Sequence, residues 1–133
     1  MAKMNPVVHF EMAAKDSKRM SEFYTGVFGW KANQFGPEMG NYVVVHTTET
    51  DEKGMVQRPG VINGGFYPKL EDPSLNYPSI VIAVDDIHEA MEKIKNAGGK
   101  LLGEPTPIPQ VGLYVSFIDT EGNRCSILQP EQM

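Results

Sequence analysis

VVHFEMAAKDSKRMSEFYTGVFGW, residues 7–30, passes from one periodicity to another. Residues 7–14 alternate, with Val8, Phe10 and Met12 on one face and Val7, His9, Glu11 and Ala13 on the other, the pattern of a half-buried strand. Asp16 stands where a helix cap is needed, Met20, Phe23, Tyr24, Val27 and Phe28 recur at helical spacing, and Gly29 suits the helix end. KANQF, NYVVVHTT and GVINGGFY follow as β-rich runs bounded by Gly, Pro or charged residues. Residues 5–67 therefore read as a β-α-β-β-β module.

The same order returns from SIVIAVDDIHEAMEKIKNAGGK, residues 79–100. Asp86 is placed to cap a helix, Glu89 follows it as in a capping box, and Ile87, Ala90, Met91, Ile94 and Ala97 form the expected buried stripe. Gly98 and Gly99 stop the helix, and KLLGE, VGLYVSFID and RCSILQ supply three more strands, so residues 79–130 form a second β-α-β-β-β module. A shift of 70 residues places Asp16 on Asp86, Gly29 on Gly99 and His9 on Ser79, which marks an internal duplication. PKLEDPSLNYP, residues 68–78, reads as a linker, and GEPTPIPQVG as a stiff loop.

Each module is too small for a good core of its own, so residues 1–133 are expected to make one α+β domain. Its two βαβββ modules would set curved mixed sheets around a cleft, lined by the strand faces that carry no helix. On the first strand that face holds His9, Glu11 and Ala13; on the fifth it holds Ser79, Val81 and Ala83. GEPTPIPQVG would form the lip.

The chain carries 12 Lys and Arg against 17 Asp and Glu, a net charge of -5 without basic clusters, which argues against nucleic acid as a partner. The lone Cys125 and the absence of a Cys-x-x-Cys pair favour a reducing, cytoplasmic setting. The opening MAKMNPVVHFEM lacks the features of a secretory signal, and no apolar run approaches membrane-spanning length. No phosphate-binding loop or dinucleotide fingerprint is present.

HFEM, FYTGVFGW, GVINGGFYP, IAVDDIHEAMEKIKNAGGK, PIPQVGLYVSFID and DTEGNRCSILQP, in this order and spacing, resemble the vicinal oxygen chelate superfamily. This is the glyoxalase, bleomycin-resistance and extradiol dioxygenase group, and the likeness is greatest to bacterial proteins related to lactoylglutathione lyase. The resemblance implies the paired-module fold and a homodimer. In metal-dependent members a divalent ion, held by the first and fourth strands of each half, acts as a Lewis acid on two neighbouring substrate oxygens. The corresponding positions here are His9, Asn63 or Gly64, Ser79 and Ser126, of which only His9 is a conventional ligand. The metal site is therefore expected to be largely lost and no cofactor is expected; a weak divalent site from His9, Glu11 and a water or substrate oxygen is the alternative.

His9, Glu11, Asn63, Ser79, Tyr114 and Ser126 are the expected ligand-binding residues. His9 is open to three readings: metal ligand, hydrogen-bonding group in a pocket, or core histidine. Glu11 is either a general base or a lining residue paired at the sheet edge. VINGGF reads as a strand closely approached at Gly64 and Gly65, DTEGNR as a hairpin turn, Trp30 as core, and His46, His88 and Cys125 as outside the chemistry. The function expected is binding of a small, partly apolar molecule. Its rivals are a lactoylglutathione-lyase-related enzyme acting on an α-hydroxycarbonyl compound, and a drug-sequestering resistance protein.

Overall fold

The computed structural model describes residues 4–52 and 60–131 of the chain. They form an α+β structure divided into two compact units, one spanning His9–Pro78 and the other running from Ser79 onward together with the residues before His9.

The first unit holds β1 (Val7–Ala14, which begins just before it), α1 (Ser17–Phe28), β2 (Lys31–Gln34), β3 (Val43–His46) and β4 (Asn63–Pro68), joined in the sheet order β2-β3-β4-β1. β1 and β4 run parallel, with His9 level with Asn63 and Glu11 level with Gly65. β3 lies antiparallel to both β2 and β4. Alternation works as the sequence predicts. Ala14, Val43, Val45 and Phe66 are buried, and Phe10, Met12, Met20, Tyr24, Trp30 and Ala32 pack on them. Trp30 is core, its ring stacked on Tyr24 with centroids 4.8 Å apart. The apolar stripe of α1 is only half used. Met20 and Tyr24 face the sheet, whereas Phe23, Val27 and Phe28 are 55%, 59% and 60% exposed. At 100° per residue Val27 and Phe28 lie on the same side of the helix as Met20 and Tyr24, but they stand in its last turn, where they stay largely exposed.

The second unit holds β5 (Ser79–Ala83), α2 (Ile87–Asn96), β6 (Lys100–Leu101), β7 (Thr106–Ile108), β8 (Gly112–Ile118) and β9 (Arg124–Pro130). β5 runs parallel to β9, and β8 is antiparallel to β9, β6 and β7. Val84, Ile87, Val115 and Ile127 form the core, with Ile82, Ala90, Met91, Ile94, Leu113 and Phe117 around them. Ala97 is the exposed C-cap instead of the last member of the stripe.

β7 corrects the sequence reading of 103–112 as loop: Thr106, Pro107 and Ile108 pair with Tyr114, Leu113 and Gly112. Proline lacks a ladder donor, but a strand bonded on one side only tolerates it. The linker also has more structure than its composition suggests. Pro73–Leu75 form a 3₁₀ turn capped by Asp72, and the Tyr67 hydroxyl donates to the Leu75 carbonyl at 2.7 Å.

Candidate functional site

In the first unit the sheet face turned away from α1 carries His9 and Glu11 from β1 and Asn63 and Gly65 from β4. Gly64 belongs to the opposite face, where an added Cβ would run into the Phe10 ring, so Asn63 is the fourth-strand residue that shares the face of His9. Tyr42, the residue before β3, reaches across this face. Its hydroxyl donates to Glu11 Oε2 at 2.9 Å and meets His9 Nε2 at 3.1 Å. Gly65 makes room for it, since a Cβ there would overlap the end of the Tyr42 ring. Glu11 is only 5% exposed, and burial lowers the His9 pKa from 6.5 to about 4. The Asn63 side-chain oxygen accepts from Thr47 N at 2.8 Å and so fastens β4 to the end of β3.

In the second unit the corresponding face carries Ser79 and Val81 from β5, Tyr114 and Ser116 from β8, and Arg124 and Ser126 from β9. Val81 lies level with Ser126, and Ser116 with Ser126. The Ser126 hydroxyl is 2.8 Å from both the Tyr114 hydroxyl and the Ser116 hydroxyl, and Arg124 donates from Nη2 to Ser116 Oγ at 3.1 Å. Ser126 is 0% exposed, so it orders Tyr114 and Ser116 from beneath. Ser79 Oγ is buried without a hydrogen-bond partner among the described residues. A hydroxyl so placed carries a desolvation cost of about 1–3 kcal/mol until something meets it.

Tyr42, Ser116 and Arg124 were not among the residues expected to bind. Parity could have found Arg124 and Ser116, which alternate in step with Ser126 and Tyr114. Tyr42 has a fainter signal: it shares parity with Val44, which lies level with Gly65 on β4.

The remaining candidates are structural. Asp119 Oδ1 accepts from Glu121 N at 2.8 Å and Asn123 N at 2.9 Å, closing the hairpin turn, and these bonds, Asn123's first, lower its pKa. Burial, followed by the charge of Asp119, raises the pKa of Cys125, which is the opposite of what a reactive thiol needs. His46 ends β3, and His88 lies exposed in the first turn of α2. Among the described residues no group of three His, Cys, Asp or Glu side chains is arranged to hold a metal ion, and no helix is long and apolar enough to cross a membrane.

The family model described as Glyoxalase/Bleomycin resistance protein/Dioxygenase superfamily matches residues 7–127. The putative glyoxylase CFP32 of Mycobacterium tuberculosis is 29% identical over 109 residues, covering 81% of this chain and 38% of its own length. Lactoylglutathione lyase GLX1 of Arabidopsis thaliana is 25% identical over 138 residues, covering 92% of this chain and 43% of its own. The chain thus spans well under half the length of these relatives. Among solved structures, a Streptomyces coelicolor methylmalonyl-CoA epimerase in complex with 2-nitronate-propionyl-CoA superposes with a TM-score of 0.69 at 16% identity, covering 98% of each chain. A hypothetical protein of Bacillus halodurans superposes with a TM-score of 0.67 at 18% identity, also covering 98% of each. The structural likenesses establish a shared fold, and the family match runs over nearly the whole sequence: the chain belongs to the glyoxalase, bleomycin resistance protein and dioxygenase superfamily.

Proposed function

We propose that this chain binds a small, partly apolar molecule through hydrogen bonds from its sheet faces, and that the divalent ion of metal-dependent relatives has no equivalent here. The donor set carries this reading. Of the four positions that the family resemblance gives to an ion, two hold serine, whose neutral hydroxyl is a poor ligand for zinc, nickel or iron. The hydroxyl of Ser126 is engaged by Tyr114 and Ser116, and the amide oxygen of Asn63 by Thr47. His9 is the one conventional ligand, and its Nε2 is in contact with Tyr42. The residues present therefore do not suit a divalent ion.

The face of the first unit offers a ligand polar groups at His9, Glu11 and Asn63, and that of the second unit offers them at Ser79, Tyr114 and Ser126, the last acting through Tyr114. Ser79, with its unpartnered hydroxyl, is the group that gains most from being met. Protein purified without chelator or affinity tag is expected to contain far less than one transition metal per chain, and to show no glyoxalase activity when zinc, nickel or cobalt is added. A metal ratio near one that His9→Ala abolishes would overturn the proposal.

A second reading is favoured by one contact, the buried Glu11 carboxylate against the Tyr42 hydroxyl. A carboxylate and a phenol so placed are what metal-independent proton transfer beside a carbonyl requires. An enzyme related to lactoylglutathione lyase would use them on an α-hydroxycarbonyl compound, whereas a drug-sequestering protein would need binding alone. The proposal includes a homodimer, which would cover the exposed Phe23, Val27 and Phe28 of α1. Light scattering at micromolar concentration is expected to give twice the chain mass, and a monomer mass would refute it.

A further inference from the structure

Tyr42 has one hydroxyl proton, and it goes to the Glu11 carboxylate across 2.9 Å. The 3.1 Å contact between that hydroxyl and His9 Nε2 must then run the other way, with the imidazole N–H donating to the phenol oxygen. A neutral imidazole has a single N–H, so Nδ1 is left with its lone pair. Burial keeps the ring neutral near neutral pH, its pKa lying at about 4. His9 is partly exposed, and Nδ1 meets no hydrogen-bonding partner among the described residues.

We infer that Tyr42 is a positioning residue: held by Glu11, it fixes His9 with its proton on Nε2, so that the bare Nδ1 selects ligands offering an O–H or N–H donor. A metal ion or a charged imidazole would reverse this preference. The space above Gly65 is part of the device, because any side chain there would push the phenol out of the bond. The tautomer stands on its own, whereas the choice of ligand rests on the proposed binding function.

Long-range proton–nitrogen correlations of the isotope-labelled full chain at neutral pH distinguish a protonated from a bare ring nitrogen. The wild-type chain is expected to show His9 with Nε2 protonated and Nδ1 bare, and Tyr42→Phe, which removes the acceptor, to show a mixture of tautomers. A wild-type His9 that is charged or protonated on Nδ1 overturns the inference even if the variant does not fold, and leaves the binding proposal standing. The ligand half is read with hydroxyacetone and its methyl ether, methoxyacetone, which differ in the O–H donor. Hydroxyacetone is expected to shift the Nδ1 resonance, and methoxyacetone at equal concentration to shift it at least about tenfold less. Equal shifts overturn the donor requirement, and no shift with either compound removes His9 from the proposed ligand site.

Discussion

Gly65 governs how near Tyr42 comes to His9 and Glu11, because the phenol occupies the volume that any larger residue would fill. Gly65→Ala has two consequences. The rigid ring cannot bend aside, so it must swing away, at an overpacking cost of about 1–3 kcal/mol. The swing also breaks the bond to Glu11, and removing one partner from a buried carboxylate adds about 1–3 kcal/mol more. Urea unfolding of Gly65→Ala is therefore expected to show a loss of about 2–6 kcal/mol. In a Tyr42→Ala background the ring is already gone, and the same substitution should cost at least about 1 kcal/mol less. Additive costs would show that Tyr42 does not lie over Gly65. Gly64 is a separate case, since its neighbour is the Phe10 ring on the α1 side of the sheet.

At the scale of elements, most of the fold was legible because its periodicities are undisturbed. The switch from alternation at 7–14 to helical spacing after Asp16 marks β1 and α1, and the repeat 70 residues on marks β5 and α2. Both caps form as read: Asp16 accepts from Arg19 N, and Asp86 from His88 N and Glu89 N. Only half of the capping box is made, since the Glu89 carboxylate pairs with Lys93 at 3.2 Å. β7 was hidden by its prolines, and the spacing along α1 gives a stripe without telling how much of it the sheet covers. The candidate site was legible where it depends on parity, as for His9, Glu11, Ser79, Tyr114 and Ser126. It was illegible where a side chain crosses strands: no local pattern tells that Tyr42 leans over Gly65 to join residues 31 and 33 positions away, Glu11 and His9.

For the molecule as a whole, the stability of a single domain is only about 5–15 kcal/mol, so one buried titrating group is a substantial share of it. His9 has a pKa of 6.5 when unfolded and about 4 in the folded chain, because burial disfavours the imidazolium. Above pH 6.5 the ring is neutral in both states and contributes no pH dependence. Between pH 6.5 and about 4 the unfolded chain binds a proton that the folded chain refuses, so stability falls as pH falls. Below about 4 both states are protonated and this contribution stops, the total loss being about 3 kcal/mol. Asp72 and Asp119 act lower on the scale: their hydrogen bonds to Ser74 and Asn123 hold them below the ordinary value of 3.8, so their support is lost only under stronger acid. Urea unfolding of the wild type is therefore expected to lose about 1.4 kcal/mol per pH unit in the middle of the upper window. His9→Gln replaces the ring with a neutral amide and should be flatter there by one proton while keeping its decline in stronger acid. Equal slopes for the two proteins would mean that His9 titrates alike folded and unfolded, and would remove the burial on which its neutral, donor-seeking state depends.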